Sequence, residues 1–140
     1  MRQGSTLTPE LKVFNFEESL NFYTNIAGFE ILYSRPEHDF VMLEINGARL
    51  MIEGLTDKSR TWKVAPLEKP LGRGMHFQIQ VEDVDGLYKK FKDFSYPFFA
   101  EMEERWYRKD DIEVGNRQFL VQDPDGYLLR FFGDIGTRKV

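Results

Sequence analysis

Residues 75–84, which read MHFQIQVEDV, decide the fold of this chain. The run from Met75 to Val81 predicts a β-strand that begins the second half of the chain. Asp83 follows at the position of a helix N-cap, where a short polar side chain accepts a hydrogen bond from a free backbone N–H group. The helix is expected to continue through three larger side chains, Leu87, Tyr88 and Phe91. The stretch therefore predicts a strand that leads directly into a helix.

Three further strands are predicted after this helix. Residues 94–100 are interpreted as an edge strand, because a proline interrupts them and sheets tolerate proline at their edges. Residues 118–122 and 127–132 are predicted to form the last two strands, with a turn at Asp125-Gly126 between them. The second half of the chain thus has the order β-α-β-β-β.

The first half shows the same order. Its helix is expected to begin after the N-cap residue Asn15 and to end at Gly28, a residue type that is common directly after a helix. A two-residue hairpin turn is predicted at Asn46-Gly47. The four strands of this half are expected at residues 11–14, 29–33, 38–45 and 48–53. The chain therefore contains two β-α-β-β-β repeats.

The two repeats can be aligned on these signals. Val13-Phe14-Asn15-Phe16 matches Val81-Glu82-Asp83-Val84 at an offset of 68 residues, and Asn46-Gly47 matches Asp125-Gly126 at an offset of 79. The difference of 11 residues indicates an insertion in the second repeat, within residues 101–115. We expect this insertion to form a pocket wall rather than a core element.

The expected organisation is a single domain of residues 1–140, since that length is usual for one domain. It divides into a first module at residues 8–54, a connector at 55–73 and a second module at 74–134. A connector of that length is typical of a functional segment or of a link between two halves. Its one large apolar residue near the middle is Trp62.

Composition narrows the classes of function. The formal net charge of −4 and the pI of about 5.3 argue against a nucleic-acid partner, because that binding depends on basic residues that neutralise phosphates. The chain has no cysteine, so it has no disulfide and no thiol nucleophile. It also has no apolar run long enough for a membrane span and no apolar segment of a signal peptide near its first residue, so a cytoplasmic location is expected.

Three segments, in the right order along nearly the whole chain, resemble proteins of the glyoxalase and bleomycin-resistance family, which is part of the vicinal oxygen chelate superfamily. They are residues 11–29, residues 75–85 and residues 121–131. The resemblance implies an α+β fold in which two βαβββ modules form curved mixed sheets around a cleft. It also implies a homodimer.

The resemblance further implies four positions at which enzymes of the family hold a divalent metal. These positions fall on Thr8, Glu53, His76 and Arg130 in this chain. Threonine is a poor ligand for such a metal, and the guanidinium of arginine has no free lone pair and would repel the cation. Only Glu53 and His76 could serve as ligands, which is too few for a three- or four-ligand site. No cofactor is therefore expected. An arginine at position 130 resembles the bleomycin-resistance branch, whose members bind a drug without catalysis.

The candidate site residues could instead have purely structural roles. His76 begins a strand that we expect to be largely buried, where a hydrogen-bonded structural histidine is common. Arg130 could pair with Glu53 or with another carboxylate of the cleft. Trp62, Trp106 and Tyr107 could pack in the core or face the cleft. The acidic residues of the insertion are expected to form a solvated face.

By this resemblance, we expect a protein that binds and sequesters a small molecule, such as an antibiotic of the bleomycin type. The ligand is expected to be aromatic or cationic. Aromatic stacking is expected from Trp62, Trp106 and Tyr107, with Glu53, His76 and Arg130 as polar site residues. One alternative is a metal-dependent lyase or dioxygenase of the glyoxalase type that uses Glu53 and His76. The other is a binder of an unrelated metabolite.

Overall fold

The computed structural model describes residues 6–56 and 62–140 of the chain, which form two compact units. The first unit runs to Leu71 and also includes Asp123–Gly126. The second unit consists of Gly72–Gln122 and Tyr127–Val140. Each unit holds one four-stranded mixed sheet and one main helix, so the predicted α+β class of two βαβββ modules is confirmed.

The first unit has the predicted element order. Strand β1 (Glu10–Val13) leads into helix α1 (Phe16–Asn21), which continues as one turn of π-helix (Phe22–Ile26). Three strands follow, namely β2 (Glu30–Arg35), β3 (Phe40–Ile45) and β4 (Ala48–Gly54). A short 3-10 helix (Pro36–His38) joins β2 to β3. The strand order is β1-β4-β3-β2, with β1 parallel to β4 and the other pairs antiparallel.

Local side-chain chemistry determines where these elements begin and end. The side chain of Asn15 accepts a 3.1 Å hydrogen bond from the backbone N–H of Glu18, which confirms the predicted helix cap. Gly28 ends the helical segment with a φ of +86°. Asn46 and Gly47 both have positive φ, as a type I′ hairpin turn requires. These three signals act within a few residues, and the structure confirms each of them.

The second unit holds the longer strands. Strand β5 (His76–Gln80) leads into helix α2 (Val84–Asp93). Strands β6 (Ala100–Lys109), β7 (Ile112–Gln122) and β8 (Leu128–Lys139) complete a sheet with the order β5-β8-β7-β6. Strand β5 is parallel to β8, and the other two pairs are antiparallel. Asp83 caps α2 as predicted, since its carboxylate accepts a 2.9 Å hydrogen bond from the N–H of Gly86.

One face of this second sheet packs against α2. Phe91 of the helix is fully buried, with its ring centre 5.6 Å from that of Phe119 in β7 and 6.0 Å from that of Phe131 in β8. Burial of such aromatic rings provides most of the stabilisation of a small core. Helix α2 covers this face, and the sheet has a second, polar face.

The predicted edge strand at residues 94–100 is wrong. Helix α2 ends at Asp93, the chain then turns through Ser95 with a φ of +54°, and only Ala100 of this range belongs to a strand. A proline fixes its own φ and offers no backbone N–H, so the segment around Pro97 does not form a ladder. The aromatic side chains of the segment pack locally, as Tyr96 does against Phe91.

Residues 101–115, which were predicted to form a pocket wall, belong to a long β-hairpin of β6 and β7 that turns at Asp110, whose φ is +56°. Two of its residues, Tyr107 and Val114, line a pocket, which agrees with that prediction. The charged residues here pair across strands, as Glu113 does with Arg138 at 2.7 Å. Most charged residues of the hairpin are exposed, as expected for a solvated face. Strands β7 and β8 are accordingly longer than predicted.

Within residues 6–56 and 62–140, no helix is both long enough and apolar enough to cross a membrane.

Candidate ligand-binding site

The polar face of the second sheet carries the candidate site. Directly paired residues of a sheet project on the same side, and alternate residues of one strand share a side. Arg130 of β8 is paired with Gln78 of β5, and Gln118 of β7 is paired with Phe132 of β8. These side chains therefore lie on one face, opposite to the face on which Phe119 and Phe131 pack against α2.

A pocket of about 330 Å³ opens on this polar face. Its polar lining consists of Gln78, Asn116, Arg130, Asp134 and Thr137. Its apolar and aromatic lining consists of Tyr107, Val114 and Phe132. Binding pockets combine a largely apolar wall with a few polar groups that orient the ligand, and this pocket has both.

Arg130 is the most unusual residue of the pocket. Its Nε atom is buried and has no hydrogen-bond partner, and the described part of the chain offers the guanidinium no ion pair. Within the part of the chain that the structure describes, the guanidinium lies near the ring of Tyr107, whose centre is 5.8 Å from the guanidinium carbon. Buried donors are nearly always hydrogen-bonded in folded proteins, so this N–H group is available to a ligand.

Tyr107 is held in place by a short chain of hydrogen bonds. The side-chain amide of Gln118 donates to the hydroxyl of Tyr107 at 2.7 Å and to a carboxylate oxygen of Glu103 at 3.0 Å. Gln118 is almost fully buried, so these bonds form away from water, where they are stronger. The hydroxyl of Tyr107 accepts this bond and therefore keeps its own proton for another acceptor.

Trp106 lies on the other face of the sheet, because it is the neighbour of Tyr107 along β6 and side chains alternate along a strand. The guanidinium of Arg138 lies 4.2 Å from the centre of its ring. The ring also covers Gly115, at which an added Cβ would meet it at 2.8 Å. The structure thus separates the two aromatic residues that the sequence had placed together, and only Tyr107 lines the pocket.

The other predicted site residues lie elsewhere. Trp62 belongs to the first unit and is 73% exposed. His76 is the first residue of β5 and is exposed, so the expectation of a buried histidine is wrong. Its exposure follows from its position at the start of an edge strand. Of the six predicted site residues, the structure brings Tyr107 and Arg130 together in the pocket.

Glu53 belongs to the first unit, where it is buried and forms an ion pair with Lys12. The two residues are directly paired across the parallel strands β1 and β4, so they project side by side on one face of the first sheet. A second carboxylate, Glu10, lies 3.8 Å from the ammonium group of Lys12. The partner of Glu53 is therefore this lysine, a pairing that the sequence analysis did not anticipate.

The residues present do not fit the divalent metal that the resemblance implies. Among residues 6–56 and 62–140, no three histidine, aspartate or glutamate side chains are grouped so that they could hold a metal ion. Glu53 already forms an ion pair with Lys12, and the guanidinium of Arg130 has no free lone pair to donate to a metal. The donor set is therefore incomplete on the chemistry of its own side chains.

A second polar cluster lies in the first unit around Asp125. Its carboxylate accepts from the backbone N–H of Phe14 at 3.3 Å and from the hydroxyl of Ser19 at 3.4 Å, and Lys69 lies 3.7 Å away. Burial raises the pKa of this carboxyl above its ordinary value, against the opposing effect of these partners. Asp123, from the same turn, accepts a 2.6 Å hydrogen bond from Tyr23. The sequence had identified only a turn here, and the structure shows buried acceptors that fix it.

Sequence reasoning missed several residues of the pocket and its surroundings. Asn116, Gln118, Phe132 and Asp134 were not singled out, since β7 was expected to begin at Gln118 and β8 to end at Phe132. Had both strands been extended, the period of two would have placed these residues on the face of Arg130.

Comparisons with known proteins agree with this architecture. Residues 7–131 match the family model described as "Glyoxalase/Bleomycin resistance protein/Dioxygenase superfamily". A crystal structure of a member of that superfamily from Vibrio splendidus 12B01 is 35% identical, with 91% of this chain and 97% of that chain covered and a TM-score of 0.41. No match was found among curated proteins.

Two further crystal structures share the fold. The glyoxalase/bleomycin resistance protein/dioxygenase from Alicyclobacillus acidocaldarius is 24% identical, with 96% of each chain covered and a TM-score of 0.63. TioX from Micromonospora sp. ML1 is 20% identical, with 98% of this chain and 100% of that chain covered and a TM-score of 0.65.

Proposed function

This chain belongs to the glyoxalase/bleomycin resistance protein/dioxygenase superfamily, and we propose that it binds and sequesters a small molecule without changing it chemically. The superfamily includes both binding proteins and metalloenzymes, so the choice between them depends on the site. The pocket on the polar face of the second sheet is the proposed binding site.

One observation carries this proposal. The pocket combines a volume of about 330 Å³ with an unpaired arginine and a tyrosine that is fixed by a buried hydrogen-bond chain. An unpaired charge in a pocket is unfavourable unless a ligand compensates it, so the free guanidinium supports a bound ligand at this place. Strands β6, β7 and β8 hold these groups on a rigid sheet, as a preorganised site needs.

A metal-dependent lyase or dioxygenase is the alternative within the superfamily. Such an enzyme needs three or four donors around a cation that activates an oxygen ligand. Glu53 lies in an ion pair with Lys12, and the position of the last ligand is Arg130. These two side chains support binding without metal chemistry, which is the activity of the bleomycin-resistance branch that the sequence resembles.

A bleomycin-type antibiotic is the ligand that the resemblance suggests. A cationic drug would meet the positive charge of Arg130 in this pocket, and a large glycopeptide would extend well beyond 330 Å³. We therefore keep bleomycin as one compound to be tested and give equal weight to a smaller metabolite. Both belong to the same proposed activity, which is stoichiometric capture.

The proposal is tested by ligand titration with the full chain. Bleomycin and small aromatic acids are added while the melting temperature is followed, and the recovered compound is examined by mass spectrometry. A bound compound should stabilise the protein by mass action and be recovered unchanged. Val114→Phe should fill the pocket and abolish the shift, whereas Val64→Phe adds the same bulk at an exposed position of the first unit and should preserve it.

Metal titration distinguishes the alternative. Zinc, nickel and iron are added to the protein, and the metal content is measured after dialysis. We expect no stoichiometric binding. One tightly bound ion per chain, lost in His76→Ala or Glu53→Gln, would replace the binding proposal with an enzyme of the glyoxalase type.

A further inference from the structure

We infer that the ligand of this pocket is a compact monoanion, with a carboxylate held by Arg130 and an aromatic or apolar body between Tyr107 and Phe132. This inference rests on the proposed binding function and adds the chemical class of the ligand. It differs from the cationic ligand that the acidic net charge of the whole chain suggested. The local charge of a pocket, rather than the net charge, determines which head group it accepts.

The first step is the charge balance of the pocket. Arg130 is the one cation among the lining residues that the structure describes. Asp134, the one anion of the lining, is exposed, accepts a 2.8 Å hydrogen bond from the N–H of Gly136, and lies four residues from Arg130 along β8. Four residues of a strand span about 13 Å between Cα atoms at ~3.3 Å per residue. Asp134 forms no ion pair with Arg130 among the described residues, so it does not directly compensate the charge of the guanidinium.

The other nearby carboxylate is also engaged. Glu103, on β6, accepts the hydrogen bond from Gln118 at 3.0 Å and forms no ion pair with Arg130 in the described part of the chain. The positive end of the pocket is therefore without a compensating protein charge. Because one edge of the guanidinium is shielded from water, an anion gains more there than at an exposed arginine.

The second step is the geometry of the head group. A guanidinium is a planar fork of N–H donors that matches the two oxygens of a carboxylate. A single fork balances one negative charge, and the lining residues that the structure describes offer no second cation. Tyr107 adds a hydroxyl proton, since its oxygen already accepts from Gln118. These donors suit a carboxylate better than a phosphate dianion.

The third step is the size of the body. A volume of 330 Å³ corresponds to about eleven water molecules at ~30 Å³ each. Phe132, Val114 and the ring of Tyr107 provide the apolar surface around it. A planar acid of one or two rings, with about a dozen non-hydrogen atoms, fits both the volume and the walls.

The test uses one ring system with three head groups. Binding of 2-naphthoate, 2-naphthamide and 2-naphthamidine to the full chain is measured by calorimetry at fixed ionic strength. We expect the anion to bind at least about tenfold more tightly than the neutral amide, which matches the contribution of a hydrogen bond to a charged group. The cation should bind most weakly of the three. As a fourth head group, 2-naphthyl phosphate should bind less tightly than the carboxylate.

Variants assign the preference to Arg130. Arg130→Gln should abolish the difference between 2-naphthoate and 2-naphthamide, and Arg130→Lys should retain only part of it, because lysine keeps the charge and loses the fork. Arg138→Gln removes the same charge from the opposite face, where Arg138 stacks on Trp106, and should preserve the preference. Melting temperatures of all variants show that each one is folded.

Three results would overturn the inference in distinguishable ways. Equal affinities for the three head groups, or tightest binding of the amidine, would leave the binding protein in place with the ligand class wrong. Absence of binding for all naphthyl compounds would reject the inference, and absence of binding for bleomycin as well would reject the proposed function with it. A preference for the anion that persists in Arg130→Gln would place the head group away from this residue.

Discussion

The hydroxyl of Tyr107 accepts a 2.7 Å hydrogen bond from the buried amide of Gln118, and the ring of the same tyrosine lies 5.8 Å from the guanidinium of Arg130. Tyr107, whose ring lies near the guanidinium of Arg130, is thus held in place by a hydrogen bond that forms away from solvent. Pocket geometry and sheet stability are therefore coupled at Tyr107.

Replacement of Tyr107 by phenylalanine tests this coupling. The change removes an acceptor of Gln118, so we expect a loss of about 1 kcal/mol in the free energy of unfolding, together with weaker binding of 2-naphthoate. Urea unfolding and calorimetry measure the two effects. Tyr88→Phe is the matched control, because the hydroxyl of Tyr88 makes only a long 3.4 Å bond to an exposed carboxylate, and it should change neither quantity.

The buried pair of Lys12 and Glu53 should be sensitive to loss of one partner. Lys12→Met leaves the carboxylate of Glu53 buried without its cation, and we expect a loss of about 3 kcal/mol in unfolding free energy. The double variant Lys12→Met/Glu53→Met should recover most of that loss, because an apolar pair carries no desolvation penalty. Lys89→Met breaks an exposed pair with Asp93 and should change stability by less than about 1 kcal/mol.

Asp125 predicts a pH dependence of stability. Burial raises the pKa of its carboxyl, so between the unfolded and the folded pKa the folded state binds more protons than the unfolded state. The contribution of this group is therefore fully present below the unfolded pKa and is lost as pH rises through the folded pKa. Asp125→Asn keeps an acceptor for Phe14 and Ser19 and removes the titration.

Urea unfolding of wild type and Asp125→Asn from acidic to neutral pH measures this effect. The stability of the variant relative to wild type should increase as pH rises, by about 1.4 kcal/mol for each unit by which the pKa is raised. A difference that stays constant with pH, or that decreases, would show that Asp125 is not the responsible group.

Gly115 is expected to tolerate no side chain. An added Cβ would lie 2.7 Å from Ile135 and 2.8 Å from the ring of Trp106, against which the guanidinium of Arg138 also packs. Gly115→Ala should therefore reduce the unfolding free energy by about 1–3 kcal/mol. The reduction should be smaller in a Trp106→Leu background, because the ring that opposes the new methyl group is gone. Equal reductions in both backgrounds would assign the strain to Ile135 instead.

The homodimer remains a prediction from the family resemblance. Strand β2 lies at the edge of the first sheet with all six residues exposed, among them Ile31, Leu32 and Tyr33. Apolar edge strands readily pair with another chain. Sedimentation should show a dimer that Ile31→Lys weakens. Leu7→Lys, an equally apolar and exposed position outside the sheet, should leave it intact, and a monomeric wild type would contradict the prediction.

Short-range chemistry made much of this fold predictable. Asn15 and Asp83 accept hydrogen bonds from the first turns of the two helices, as their side chains suggested, and Asn46-Gly47 forms the expected hairpin turn. The order of elements follows from these signals, because each depends on interactions within a few residues. The incompatibility of Arg130 with a metal is also a property of its own side chain.

Strand lengths and facing directions were decided by the tertiary structure. Strands β6 and β7 extend through a charged segment because each has a partner strand that satisfies its backbone, a condition that no local pattern reveals. The register of that hairpin turns Tyr107 toward the pocket and Trp106 toward Arg138. A shift of one residue would exchange them.

The sequence by itself determined the two repeats, the caps and turns that delimit them, and the presence of an arginine at the position of a metal ligand. Only the tertiary structure decided that Glu53 is paired with Lys12, that His76 is exposed, and that Arg130 lies unpaired beside Tyr107. The physical reason is the distance along the chain over which each interaction acts. Caps and turns depend on neighbouring residues, whereas the partner of a charge depends on which strands meet and in which register.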